Sequence, residues 1–195
     1  DSLKGRYIAA EDSGTSVADI SAMGERTRFI SGVSGGRYGG DPSPLTAYGV
    51  FIGIREAVRH RIQSDLPGIR VAIQGVGNVG YHLTKLLIYA GAKVTVADIN
   101  RQNLERVSKI RGVNVVSVDE ILSARVDVLA PCAMGGAINE NSIYNIRAGI
   151  VAGAANNQLT NNEMADELLN RGILYAPDYV INAGGIIDVY YQNCG

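Results

Sequence analysis

The sequence predicts an α/β protein built on a doubly wound, mostly parallel sheet, and three observations carry that reading. From residue 70 onward, short apolar segments alternate with helical patterns. Those segments are rich in Val, Ile or Leu on both faces, as strands covered by helices on both sides must be. The 24 glycines gather where these strands end and the backbone must turn.

The first 36 residues are different in character. Arg6–Ala10 is strand-like and is broken at Glu11-Asp12-Ser13-Gly14. Thr15 or Ser16 can cap a short helix over Val17–Met23, and Arg28-Phe29-Ile30 reads as another short strand. The run 34–40 is glycine-rich and marks a domain boundary. Residues 1–40 are therefore set apart from 41–189, with 190–195 as a tail.

A helix follows, with Ser43 as N-cap and Pro44 in its first turn. Leu45, Val50, Phe51, Ile54, Val58 and Ile62 form its apolar stripe. Leu66-Pro67-Gly68 turns into the first strand. Strands are expected at 70–75, 93–97, 113–117, 126–130, 149–153 and 173–176. Helices are expected at 78–90, 101–110, 119–123, 140–146 and 161–171.

The chemistry concentrates at Val71–Gly80, where Gly75, Gly77 and Gly80 have GxGxxG spacing between a strand and a helix. Gly75 permits the tight turn, Gly77 lets backbone approach a pyrophosphate, and Gly80 lets helix pack on sheet. Asn78 and Val79 open the helix, whose free N–H groups and dipole favour phosphate. Asp98 ends the next strand 23 residues after Gly75, with Ile99 beside it. A carboxylate there can accept from both ribose hydroxyls and repels a 2′-phosphate, so NAD is favoured over NADP. Arg101 is the one nearby group that could instead receive a phosphate. A glycine turn without a ligand has no need of Asp98. The fold is thus of Rossmann type.

In such folds ligands meet the carboxyl ends of strands. Those ends carry Cys132 and Ala133, then Ala155, Asn156 and Asn157, then Asn182, which follows an apolar segment read as a strand. The asparagines suit uncharged polar groups such as a carboxamide; each could equally serve an Asx turn or a helix cap.

Bulk properties exclude several classes. A net charge of −1 gives no footprint for nucleic acid. No apolar run approaches the roughly 18–20 residues that span a bilayer, and no charged-then-apolar leader opens the sequence. Cys132 and Cys194 are too few, and too far from His60 and His82, for a zinc site or a disulfide framework. A cytoplasmic location is expected.

The stretches 5–20, 41–50, 71–83, 130–139, 151–159 and 176–189 resemble the leucine, phenylalanine, valine and tryptophan dehydrogenases, relatives of glutamate dehydrogenase. GAANNQL and APDYVINAGG are the more specific parts of the match. The resemblance implies NAD-dependent oxidative deamination of an apolar or aromatic L-amino acid to a 2-oxo acid and ammonia, in a homo-oligomeric enzyme. It implies that Asp12 shuttles protons at the amino group. It places Ser43 and Thr46 near the nicotinamide, Asn156 near its ribose and the substrate, Asn182 in the same cleft, and Asp98 at the adenosine ribose. Asp12, between an apolar segment and a capped helix, is expected to be partly desolvated, which would raise its pKa. Two lysines of the family's N-terminal domain have no counterpart among Lys4, Lys85, Lys93 and Lys109. Three of these four are expected to face solvent, with Lys4 at the chain start. An isolated cofactor domain, inactive alone, is therefore expected. The alternatives are a binding module without catalysis and an NADP-linked glutamate dehydrogenase domain.

Overall fold

A computed structural model describes residues 3–12, 14–32 and 40–194, the last three as backbone. Six parallel strands form one sheet in the order β3-β2-β1-β4-β5-β6. They are β1 (Arg70–Gln74), β2 (Lys93–Ala97), β3 (Val113–Val115), β4 (Val128–Pro131), β5 (Ile150–Val151) and β6 (Leu174–Tyr175). The chain starts at the centre, winds outward to β3, then returns past β1 to β4. The switch point lies between β1 and β4, where Ile73 pairs with Ala130. Open parallel sheets of this order receive ligands there.

Successive β1 residues feed two cores. Val71 and Ile73 point into a cluster with Val50, Ile54, Val58, Leu83 and Leu87. Ala72 points the other way, toward Leu129, Ile143, Val151 and Leu168. Each fully buried Leu or Ile contributes roughly 1.5–3 kcal/mol, so both faces of the sheet are committed to the interior. The first face is covered by α2 (Ser43–Ile62) and α3 (Asn78–Tyr89). The opposite face is covered in part by α6 (Glu163–Asn170).

Several elements are shorter than expected. The strand expected over 149–153 is two residues long, and that over 113–117 is three. The helix expected at 140–146 is a single 3-10 turn, Ile143–Asn145. The N-terminal segments Arg6–Ala10 and 28–30 form only one isolated parallel bridge, Ala9 to Ile30, because nothing extends their pairing. Ser16, not Thr15, caps α1 (Val17–Gly24), in a capping box with Asp19. The expected boundary loop falls mostly at 33–39, outside the described residues.

Helix α2 departs from the expectation at both ends. Pro42 occupies the N-cap and Ser43 is the first helical residue, buried. The capping acceptor is Asp41, whose Oδ1 takes the Ser43 N–H at 2.8 Å. Leu45 is exposed, since at about 100° per residue it falls opposite Ala47, Val50 and Ile54. Ile62 is exposed at the far end, beyond the sheet.

The segment before Asn182, with its apolar 179–181, is not a strand. Pro177 and Asp178 start a helical turn, α7 (Asp178–Ile181), and Asn182 is its C-cap. Helix α8 (Gly184–Cys194) follows at once and crosses α2. That crossing is close because it is made of small residues. A Cβ at Gly49 would lie 3.4 Å from Gly184 Cα, and one at Gly53 would strike Ile181. Cβ atoms at Gly184 and Gly185 would strike the Leu45 carbonyl and the Thr46 hydroxyl. The Gly49/Gly53 pair, four apart on one helix face, was the sequence signal for this packing.

Candidate functional site: a glycine turn at the sheet's carboxyl edge

The three glycines of the turn have three distinct environments. Gly75 has φ +93°, and a Cβ there would lie 2.8 Å from Ala133. Gly80 rests on the Gly75 carbonyl, which any side chain would strike. Gly77 has nothing within 4 Å of where its Cβ would be. It is the N-cap of α3, and no side chain caps that helix. The first N–H groups of α3, from Asn78 and Val79, thus meet an open face, the arrangement that receives anions.

Asp98 lies at the end of β2, half-buried, and is tied into the turn. Its Oδ2 accepts the Val76 N–H at 2.8 Å and Asn103 Nδ2 at 3.1 Å, and its Oδ1 accepts the Asn100 N–H at 2.7 Å. This corrects the expectation that a turn without a ligand has no use for Asp98: the carboxylate helps to shape the turn. Free lone pairs remain for ribose hydroxyls. Ile99 is 92% exposed beside it, an apolar surface at the strand's end. Arg101 extends into solvent and pairs with Glu105 at 3.2 Å.

Helix α4 (Arg101–Val107) supplies two residues that the sequence reading passed over, Asn103 and Arg106. Arg106 donates to the Gly77 carbonyl at 2.9 Å and to that of Val76 at 3.3 Å, and its guanidinium lies 4.3 Å from the Tyr81 ring centroid. Their signal was placement beside Leu104 and Val107, on the inward side of a helix that directly follows Asp98.

Across the switch point, Cys132 donates its N–H to the Gln74 carbonyl at 2.7 Å. Burial pushes its thiol up to about 12, against a backbone hydrogen bond from Ala154, and so disfavours the thiolate. Ala133 is exposed at the mouth of the turn. Ala155 is buried, donating to the Pro131 carbonyl at 2.9 Å. Asn182 Nδ2 donates to Asn156 Oδ1 at 2.5 Å and to the Ala154 carbonyl at 3.2 Å. Two further residues brace this loop. Fully buried Gln158 donates through Nε2 to Gly153 and Ala155 carbonyls, and Asp178 Oδ2 accepts the Gln158 N–H at 3.1 Å. Gln158 stood in the quoted motif, but its role depends on burial that sequence does not show.

Thr46 lies on the α2 wall, its Oγ1 donating to the Pro42 carbonyl at 3.1 Å and touching the start of α8 at Gly185. The structure therefore gathers Gly75, Gly77, Gly80, Asp98, Cys132 and Ala133 around the ends of β1, β2 and β4. Asn156 and Asn182 are joined directly, and Thr46 is joined to them through α8. Asp12 lies on the N-terminal segment and is exposed, contrary to the expected desolvation. The carboxyl that burial does raise is its neighbour Glu11, with Asp41 and Asp12 adding to the shift. All four lysines are exposed. Among the described residues no cluster of His, Cys, Asp and Glu could hold a metal, and no helix is long and apolar enough to cross a membrane.

The sheet order, the glycine turn and the acid at the end of β2 define a Rossmann-type domain. A family model described as Glutamate/Leucine/Phenylalanine/Valine dehydrogenase matches residues 35–101 and 95–192. A leucine dehydrogenase of Bacillus cereus is 46% identical over 190 residues, which is 96% of this chain and 52% of that protein. An L-tryptophan dehydrogenase of Nostoc punctiforme is 44% identical over 197 residues, covering 100% of this chain and 55% of that protein. The crystal structure of L-tryptophan dehydrogenase from Nostoc punctiforme superposes with a TM-score of 0.82 at 42% identity, across 100% of this chain and 56% of that one. The chain belongs to this dehydrogenase family, and it spans about half the length of the curated relatives it matches.

Proposed function

We propose that this chain is the NAD(H)-binding domain of an L-amino-acid dehydrogenase that deaminates an apolar or aromatic substrate to a 2-oxo acid and ammonia. The observation that carries the reading is the open face of Gly77 at the uncapped start of α3, with Asp98 one strand away. An open approach to the N–H groups at the start of α3 fits a pyrophosphate, and the adjoining carboxylate fits a ribose without a 2′-phosphate.

Bound NAD would supply the hydride acceptor. The chain's own residues bind and orient. Asn78 and Val79 N–H groups hold phosphate; Asp98 accepts ribose hydroxyls; Ile99 offers apolar surface to the adenine. Asn156, its Oδ1 taken by Asn182, presents its amide N–H groups to the cleft. Thr46 and Ser43 line the wall on which the nicotinamide end would rest. Asp12 would handle the proton of the substrate amino group. The intact protein would be cytoplasmic and homo-oligomeric, as the family resemblance suggests.

A second reading is favoured by one observation: all four lysines are exposed and none lies in the cleft. On that reading this chain binds the cofactor and does not turn over by itself. One experiment addresses both. NADH and NADPH are titrated into the folded chain by fluorescence, and NADH formation is followed with NAD and a panel of Leu, Val, Phe, Trp and Glu. NADH binding without turnover is the expected result. Turnover would overturn the second reading, and preference for NADPH would overturn the cofactor assignment.

A further inference from the structure

The Gly75–Gly77 turn is held from two sides before any ligand is considered. Asp98 takes the Val76 N–H. Arg106 takes the carbonyls of Val76 and Gly77. In a trans peptide the carbonyl and the following N–H point in opposite directions. Drawing the Val76 and Gly77 carbonyls toward α4 therefore directs the N–H groups of Gly77 and Asn78 away from it.

We propose that Arg106 is a positioning residue for a pyrophosphate-bearing ligand: it fixes the two peptide planes whose N–H groups would face the phosphates. The inference rests on the dinucleotide reading above and deepens it. Three features of the side chain suit it to the task. Its terminal nitrogen reaches two carbonyls, which the planar guanidinium does more readily than an ammonium. Its guanidinium is stacked over Tyr81, the residue whose N–H donates to the same Gly77 carbonyl at 3.0 Å. Its Nε is buried with no hydrogen-bond partner among the described residues. A buried donor left unpaired is costly, so the guanidinium is held where it is by its bonds to the turn and by the ring, not by its own best solvation. Its charge adds to the positive end of α3, in the sense that favours an anion.

The test uses ligands with and without the diphosphate. NADH, ADP-ribose and adenosine are titrated into the wild-type chain, Arg106→Met and Arg106→Lys, with thermal unfolding of each unliganded protein. Arg106→Met is expected to lower affinity for NADH and ADP-ribose by tenfold or more and to leave adenosine within twofold. Arg106→Lys keeps the charge and is expected to recover only part of the loss. Amide hydrogen exchange at Gly77 and Asn78 is expected to quicken in Arg106→Met. Equal losses for all three ligands would reduce Arg106 to a general stabiliser and overturn the proposal. So would wild-type affinity for NADH in Arg106→Met. If the wild-type chain binds neither NADH nor ADP-ribose, the dinucleotide reading falls and this inference falls with it.

Discussion

Asn182 Nδ2 and Asn156 Oδ1 are 2.5 Å apart, and this bond joins the C-cap of a four-residue helix to the loop after β5. It fixes the amide of Asn156 with its oxygen inward and its N–H groups available. Changing Asn156 to Asp keeps the acceptor for Asn182 but replaces the donors with a second acceptor and a charge. Asn156→Asp is expected to weaken NADH binding by tenfold or more, and Asn182→Ala, which only loosens the amide, by less. A fluorescence titration orders the two; the reverse order would remove Asn156 from the cleft's polar contacts.

The turn glycines separate binding from stability. Gly77→Val places a side chain in open space, so it is expected to abolish NADH binding while moving the unfolding midpoint by no more than about 2 °C. Gly80→Ala drives a methyl into the Gly75 carbonyl and is expected to destabilise by roughly 1–3 kcal/mol, the usual cost of overpacking. Thermal unfolding and NADH titration of both variants check the contrast. Retained binding in Gly77→Val would place the dinucleotide elsewhere.

His82 gives the fold a pH dependence. Burial holds its pKa below the ordinary 6.5, Lys85 and Arg106 push the same way, and Asp41 opposes them. The unfolded chain therefore takes up the proton first as pH falls. The contribution to stability is complete above about pH 6.5 and is lost as pH drops through the lower folded value. Urea midpoints at pH 7.5 and pH 5 are expected to differ more in wild type than in His82→Gln. Identical differences would show that His82 does not titrate with folding.

Cys132, with its thiol raised to about 12, is expected to resist alkylation in the folded protein. In a Cys194→Ser background, where it is the sole cysteine, iodoacetamide at pH 8 should label it slowly until denaturant is added. The free thiol near 8.5 reacts at once. Rapid labelling of the folded chain would mean that the β4 end opens.

Much of this fold was legible because it is local. Strand–helix alternation, the glycine spacing and Asp98 are short-range patterns, and the parallel sheet grew from them. What escaped was decided by contacts distant in sequence. Asn182 looked like the end of a strand because 179–181 is apolar, yet Pro177 and Asp178 start a helix there. Asp12 looked desolvated from its small neighbours, but solvation depends on what folds over it, and Glu11 is the residue covered. Arg106 carries no motif of its own in the sequence and was passed over. Its hydrogen-bond partner is the turn 29 positions back.

The crossing of α2 and α8 brings backbone against backbone at Gly184. Where helices meet through side chains, one can shift over the other by repacking; where Gly49 meets Gly184 and Gly184 meets the Leu45 carbonyl, the contact is backbone on backbone. A side chain at Gly184 would wedge the two helix backbones apart beside Asn182, two residues earlier in the chain.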